Sequence, residues 1–197
     1  MRARLMATLL AAGCLWLWTA AAFAAAGTVV GISGACTAGG RVLKLGDPVE
    51  VSETLNVPAG GKLKLRMADG SVVSVAPGSQ LTVAAYAVGP SGQRADAKFS
   101  LSQGLIRAAV AGQPAAFEVT TAVGTASVRG TDWFIAALPG SAQVGVLAGL
   151  VDLRSAATGR AVEIPAGWGA RLEAGRDPVQ PRVWSQSEFN DFIARTQ

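Results

Sequence analysis

Residues Phe117 to Ala137, FEVTTAVGTASVRGTDWFIAA, decide the fold class. Phe117, Val119, Thr121 and Val123 recur at period two, which lines one face of a strand. After the corner Val128-Arg129-Gly130-Thr131, the run Thr131 to Leu138 is apolar on both faces, with Trp133 and Ile135 on one and Phe134 and Ala136 on the other. A strand without a polar face is a buried strand. The stretch therefore predicts the core of a β-structure, and shorter strands are expected around it.

Upstream, Lys62-Leu63-Lys64-Leu65-Arg66-Met67 alternates charged with apolar, and Asp69-Gly70 supplies the positive-φ turn that returns the chain along Ser71 to Val75. Further strands are expected at Thr28 to Ile32, Arg41 to Leu45 and Leu81 to Ala85, with an exposed loop over Tyr86 to Asp96 around Gly89-Pro90-Ser91-Gly92. Phe99 to Leu101 and Leu105 to Val110 read as a second hairpin about Gln103-Gly104. Downstream, Val144 to Leu147, Leu150 to Arg154, Ala161 to Ile164 and Trp168 to Leu172 are short strands between glycine turns. About twelve short strands without a long helix between them make a single all-β domain. Its form is a twisted β-sandwich or a short irregular β-helix, since glycine turns recur at Gly70, Gly104, Gly149 and Gly167 with uneven spacing. At the C-terminus, Ser185 and Glu188 form a capping box ahead of Phe189, Phe192 and Ile193, predicting a short helix over Ser187 to Arg195 with an apolar stripe.

The N-terminus reads as a signal peptide over residues 1–24. Arg2 and Arg4 precede an uncharged run, and Ala22-Phe23-Ala24 offers small residues for cleavage after Ala24 or Ala26. Two other readings stay open. Leu5 to Ala26 is long enough to stay in a bilayer as an anchor, and Leu10 to Cys14 faintly resembles a lipoprotein cleavage site. The all-β domain is expected over residues 27–178 and the tail with its helix over residues 179–197. The leader holds two of the 17 basic residues and none of the 13 acidic ones, so cleavage lowers the formal net charge from +4 to +2. The remaining charges are scattered singly, which argues against nucleic acid as a partner.

The chain contains no His, which removes the commonest general base and metal ligand together. It shows no nucleophile elbow, phosphate-binding glycine loop or Cys cluster, so no catalytic residue, metal or cofactor is assigned. With Cys14 in the leader, Cys36 is left without an intramolecular disulfide partner and is either buried or free to pair with another chain. Arg129 lies between Val128 and Gly130 in an apolar stretch. It is expected to be partly desolvated and paired with Asp132, Glu118 or Asp152, pinning the corner, with an anion or partner contact as the functional alternative. Arg107 reads as an outward-facing charge. Trp133, Trp168 and Trp184 read as core packing rather than a stacking platform for sugar.

Several pieces follow one another in a recognisable order: Asp69-Gly70-Ser71, Gln103-Gly104-Leu105-Ile106-Arg107, Phe117 to Thr121, Val128-Arg129-Gly130-Thr131-Asp132-Trp133 and Leu147 to Val151. Together they resemble the FecR-type periplasmic domain over roughly Arg41 to Leu172. The most specific piece is the Val-Arg-Gly-Thr corner followed by an aromatic strand. The resemblance implies an extracytoplasmic all-β domain that senses or binds. In the regulators that give the family its name, it relays occupancy of an outer-membrane iron-siderophore receptor to a sigma factor. Here only Met1 to Arg4 precede the hydrophobic segment, and roughly 25 residues follow Leu172. The resemblance thus implies a stand-alone periplasmic FecR-like domain, with Val128, Arg129, Gly130, Thr131 and Trp133 as its structural motif. The expected function is a non-enzymatic binding or signalling-accessory module of the cell envelope. Its expected partner is an envelope protein or receptor component, met through the loop carrying Tyr86 and Arg94; contact with the membrane is expected only if the leader is retained. The alternative is a structural or glycan-associated envelope protein that contacts glycan through Trp168 or Tyr86.

Overall fold

The computed structural model describes residues 25–112 and 115–197. The expected signal peptide, residues 1–24, lies outside the described residues. Among the described residues no helix is long and apolar enough to cross a membrane.

Among the described residues seventeen strands and one helix follow in chain order. They are β1 (Gly27–Ser33), β2 (Thr37–Ala38), β3 (Arg41–Val42), β4 (Pro48–Val49), β5 (Thr54–Asn56), β6 (Lys62–Met67), β7 (Val72–Val75), β8 (Gln80–Val88) and β9 (Arg94–Ala109). The second half adds β10 (Phe117–Thr120), β11 (Gly124–Val128), β12 (Asp132–Leu138), β13 (Ser141–Ala148), β14 (Leu150–Ser155), β15 (Ala161–Pro165), β16 (Trp168–Glu173), β17 (Arg182–Val183) and α1 (Gln186–Thr196). The count exceeds the sequence expectation because β2, β4, β5 and β17 are two- and three-residue pieces, too short to leave a periodicity, and because β11 forms a separate strand after β10. The expected strand over Arg41 to Leu45 shrinks to β3, which pairs with β2.

The strands form two layers. Sheet I runs β4-β1-β6-β7-β9-β12-β13-β16-β17 and sheet II runs β3-β2-β5-β8-β9-β10-β11-β14-β15. Every ladder is antiparallel except β10 with β9, so the sandwich form describes the molecule. The inward positions of both sheets share one core. Leu65, Ile106, Trp133 and Val144 from sheet I meet Leu81, Phe99, Val119 and Leu153 from sheet II. β6 shows why the residues choose this arrangement: Leu63, Leu65 and Met67 are buried while Lys62, Lys64 and Arg66 are exposed. The opening stretch behaves likewise, with Phe117, Val119, Thr121 and Val123 all buried and β12 buried on both faces.

β9 belongs to both layers, which corrects the expected hairpin about Gln103-Gly104. Its first part pairs with β8 and β10 in sheet II and its second part with β7 and β12 in sheet I. Gly104, at φ +94°, is the bend where the strand changes sheet. Ser79 occupies the space a side chain would need, since a Cβ on Gly104 would lie 2.2 Å from Ser79 Oγ. That hydroxyl accepts from Leu105 N at 2.9 Å and donates to Leu105 O at 3.2 Å, so it also satisfies the backbone at the bend.

The exposed loop expected over Tyr86 to Asp96 is a second correction. β8 runs through Val88 and β9 starts at Arg94, leaving Gly89 to Gln93 as the turn. The Pro90-Ser91-Gly92 tip dominates the local sequence, although the flanking residues are ordinary strand.

Helix α1 packs on the outer face of sheet I. Phe189 and Phe192 join Leu105, Phe134, Ala136 and Ala76 in a second, smaller apolar cluster. Trp184 lies flat against glycines of β13 and β16: a Cβ would come within 2.4 Å of its ring at Gly145 and 2.0 Å at Gly169. The expected capping box is present, with Ser185 Oγ accepting from Glu188 N and Ser185 N donating to Glu188 Oε2.

Candidate functional site

Among the described residues, three polar clusters involve the side chains that the sequence singled out. The first is buried. Asp69, in the β6–β7 turn, is ion-paired with Arg94 at the start of β9, and both side chains are fully covered. Asp69 accepts from Ser71 N and Ser71 Oγ, each at 2.9 Å. Arg94 spends its other donors on the segment between β9 and β10, with Nη2 donating to Ala115 O at 2.8 Å and Nε to the same oxygen at 3.1 Å. Its guanidinium carbon lies 5.9 Å from the centre of the Phe117 ring.

Burial works to raise the Asp69 carboxyl, but the groups facing it from Tyr86, Ser71 and Arg94 outweigh burial and hold it below the usual carboxylate range. The Tyr86 hydroxyl is buried beside this carboxyl, without a partner in full hydrogen-bond geometry among the described residues. Burial first, and then the neighbouring carboxylate, push the Tyr86 phenol well up. Arg94, 1% exposed, is thus a structural ion pair and cannot be offered to a partner from this position. In that segment Ala87, the tip Pro90 to Gln93 and Ala95 remain exposed.

The second place is the outer face of sheet I. Arg107, on β9, donates from Nε to Asp132 Oδ1 at 2.9 Å and from Nη2 to Asp132 Oδ2 at 2.7 Å, a two-pronged pair that ties β9 to β12. The same guanidinium sits 5.5 Å from the Phe134 ring centre. Sequence reasoning named Asp132, with Glu118 and Asp152, as a candidate partner of Arg129 and read Arg107 as an outward-facing charge. Arg107 does face outward, and the register gives Asp132 to it, because Asp132 stands opposite Ala109 and Phe134 opposite Arg107 on the same face.

The third place is the Val128–Thr131 corner between β11 and β12. Val128 and Thr131 are buried, Gly130 turns the chain at φ +67°, and Trp133 is fully buried in the core. Thr131 Oγ1 donates to Leu150 O at 3.1 Å, and a Cβ on Gly149 would come within 2.8 Å of that hydroxyl. The corner is therefore locked against the β13–β14 turn, and the sequence pieces Val128 to Trp133 and Leu147 to Val151 meet in space. Arg129 is exposed and forms no salt bridge among the described residues. It borders a shallow cleft of about 370 Å³ with Ser127, Leu150, Asp152 and Glu163. The expected desolvated pairing with Asp132, Glu118 or Asp152 is not what holds this corner.

Elsewhere, Cys36 is buried, with its thiol directed to Ser33 O at 3.4 Å, and burial pushes its pKa up, away from the reactive thiolate. Of the three tryptophans among the described residues, Trp133 is in the core, Trp184 lies beneath α1 and Trp168 is partly exposed. Among the described residues no group of three or more His, Cys, Asp and Glu side chains could hold a metal ion.

Two crystal structures assigned to an anti-sigma factor from Parabacteroides distasonis share the fold. One has a TM-score of 0.57 at 13% identity, covering 71% of this chain and 64% of that one. The other has a TM-score of 0.58 at 14% identity, covering 71% and 63%. This chain thus spans less than two thirds of either structure, and at such identities the likeness concerns fold alone. No curated protein sequence matches this chain. The family model described as FecR protein matches residues 53–152, just over half of the chain. That span holds the Asp69–Arg94 pair, the β9 bend and the Val128–Thr131 corner, and by it the chain belongs to the FecR protein family.

Proposed function

We propose that this FecR protein is an exported, non-enzymatic binding module of the cell envelope that serves signalling as an accessory to a receptor or sensor component. The observation that carries the reading is the family match over residues 53–152, which supports a signalling-accessory role. The polar geometry is consistent with it. Asp69, Arg94, Arg107, Asp132 and Thr131 are all engaged in bonds between segments of the fold, whereas Arg129 is left exposed beside a shallow cleft. In this reading Val128, Gly130, Thr131 and Trp133 build the corner and Arg129 is presented from it. The leader over residues 1–24 delivers the domain to the periplasm.

Photocrosslinking from position 129 in intact cells, followed by identification of the crosslinked protein, tests the proposal. Capture of one envelope receptor or sensor component, lost in Arg129→Ala protein of unchanged melting temperature, is the expected result. The glycan-associated alternative retains Trp168, which is partly exposed, but no longer Tyr86, whose hydroxyl is buried. Co-sedimentation with peptidoglycan in the absence of any crosslinked protein would favour it. Turnover of an ester, peptide or glycan substrate that one point substitution abolishes would overturn both.

A further inference from the structure

The two sheets end at different places. β15, the last strand of sheet II, lies close to β13 and, across the Ala166-Gly167 turn, to β16 of sheet I. Sheet I continues for one more strand, β17, which pairs with β16 through Trp168↔Val183 and Gly169↔Arg182. Trp168 shares its face of β16 with the buried Ala170 and Leu172, so Trp168 and its cross-strand neighbour Val183 stand on the inner side of sheet I. No strand of sheet II covers them: Val183 is 63% exposed and Trp168 37%. Among the described residues β15 pairs with β14 alone, so its other side is an open edge next to this uncovered apolar pair.

The backbone of that edge is set for pairing. Ser155 N donates to Arg160 O at 2.8 Å, which makes Ser155 and Arg160 a hydrogen-bonded pair in the register that continues through Arg154↔Ala161 and Asp152↔Glu163. Bonded and non-bonded pairs alternate along an antiparallel ladder. The N–H and C=O groups of Ala161 and Glu163 therefore point away from β14, out of the open edge. Pro165, next in that set, has no N–H and ends the row.

We propose that this notch takes one extended peptide strand from a different protein, hydrogen-bonded to β15 and laying its inward side chains over Trp168 and Val183. The inference rests on the binding-module reading and names its partner class. Glu163 is exposed and has no ion-pair partner among the described residues. It selects a Lys or Arg on the outward face of the incoming strand, opposite apolar residues on the inward face. A second copy of the chain fits poorly, because β15 paired with itself in full antiparallel register sets Glu163 directly against Glu163 of the copy. The chain's own leader joins at Ala25, ahead of β1, near the opposite edge of sheet I.

The test titrates the protein with short acetylated peptides: valine alternating with lysine, valine alternating with glutamate, and the lysine series interrupted by proline. The lysine series is expected to slow amide hydrogen exchange at Ala161 and Glu163 by about tenfold or more at saturation. The glutamate and proline series should bind at least about tenfold more weakly. Glu163→Pro removes the outward N–H and the exposed carboxylate but no bond of the β14–β15 ladder, so it should keep the melting temperature and lose the protection at Ala161. Val183→Asp, which leaves β15 untouched, should weaken binding likewise. Three results overturn the proposal: no protection at millimolar peptide, equal binding by both variants, or protection that needs only concentrated protein together with a dimer that Glu163→Pro abolishes. An envelope partner that still crosslinks to the Glu163→Pro protein would remove this edge and leave the binding function standing. Peptide protection without any cellular partner would do the opposite.

Discussion

Arg94 gives up its hydration to reach Asp69 and two carbonyl oxygens, while Arg129 stays exposed and forms no ion pair among the described residues. Removing one partner of a buried pair leaves the other charge uncompensated, so Arg94→Ala should destabilise the fold by about 3–5 kcal/mol. Arg129→Ala should change stability by no more than about 0.5 kcal/mol, as for other surface substitutions. Chemical denaturation of the two variants side by side checks both, and a reversed order would contradict the placement of the two guanidinium groups. Asp69 adds a pH dependence of definite sign. Its carboxyl is held below the usual range in the folded chain. Its stabilisation is therefore complete above the unfolded pKa of about 4 and is lost as pH falls through the lower folded value. Melting temperatures measured through that acid range should fall for the natural protein, and less steeply for Asp69→Asn. Local sequence points the other way for both arginines. Arg129 is flanked by apolar residues and Arg94 follows a polar turn, but burial is decided by what stands opposite in the next strand.

At the scale of elements, β9 is the piece on which the sandwich depends, because it is the strand the two sheets have in common. Gly104→Ala would place a methyl group into Ser79 at a backbone angle that L-residues resist. A cost of about 2–4 kcal/mol is expected from strain and overpacking together, measured by denaturant titration. A cost below about 1 kcal/mol, the usual price of a strand substitution without strain, would mean that the bend tolerates a side chain. β6 was legible because six residues alternate without interruption, and α1 because its capping box and aromatic spacing agree. β9 was not legible: Gln103-Gly104 carries the chemistry of a turn, and only the non-local hydroxyl of Ser79 makes it a bend within one strand. The glycines beneath Trp184 were silent for the same reason, since their meaning lies in a ring some fifteen or more residues further along the chain.

For the whole molecule, the shared core argues that the two sheets unfold together. Trp133 touches that core, whereas Trp184 belongs to the smaller cluster under α1 on the outer face. A helix of this length is marginal alone in water, so its aromatic docking and cap hold it in place rather than the reverse. In protein beginning at Ala25, Trp168→Phe with Trp184→Phe leaves Trp133 as the fluorescent reporter of the core, and Trp133→Phe with Trp168→Phe leaves Trp184 as the reporter of the helix. Denaturant midpoints from Trp133 fluorescence and from far-ultraviolet circular dichroism should coincide, the signature of one cooperative unit. The Trp184 midpoint should fall at the same or lower denaturant, because the helix can leave without opening the space between the sheets. If the Trp133 transition separated from the loss of β-structure, the sheets would be independent units, and β9 would connect them without coupling their stability.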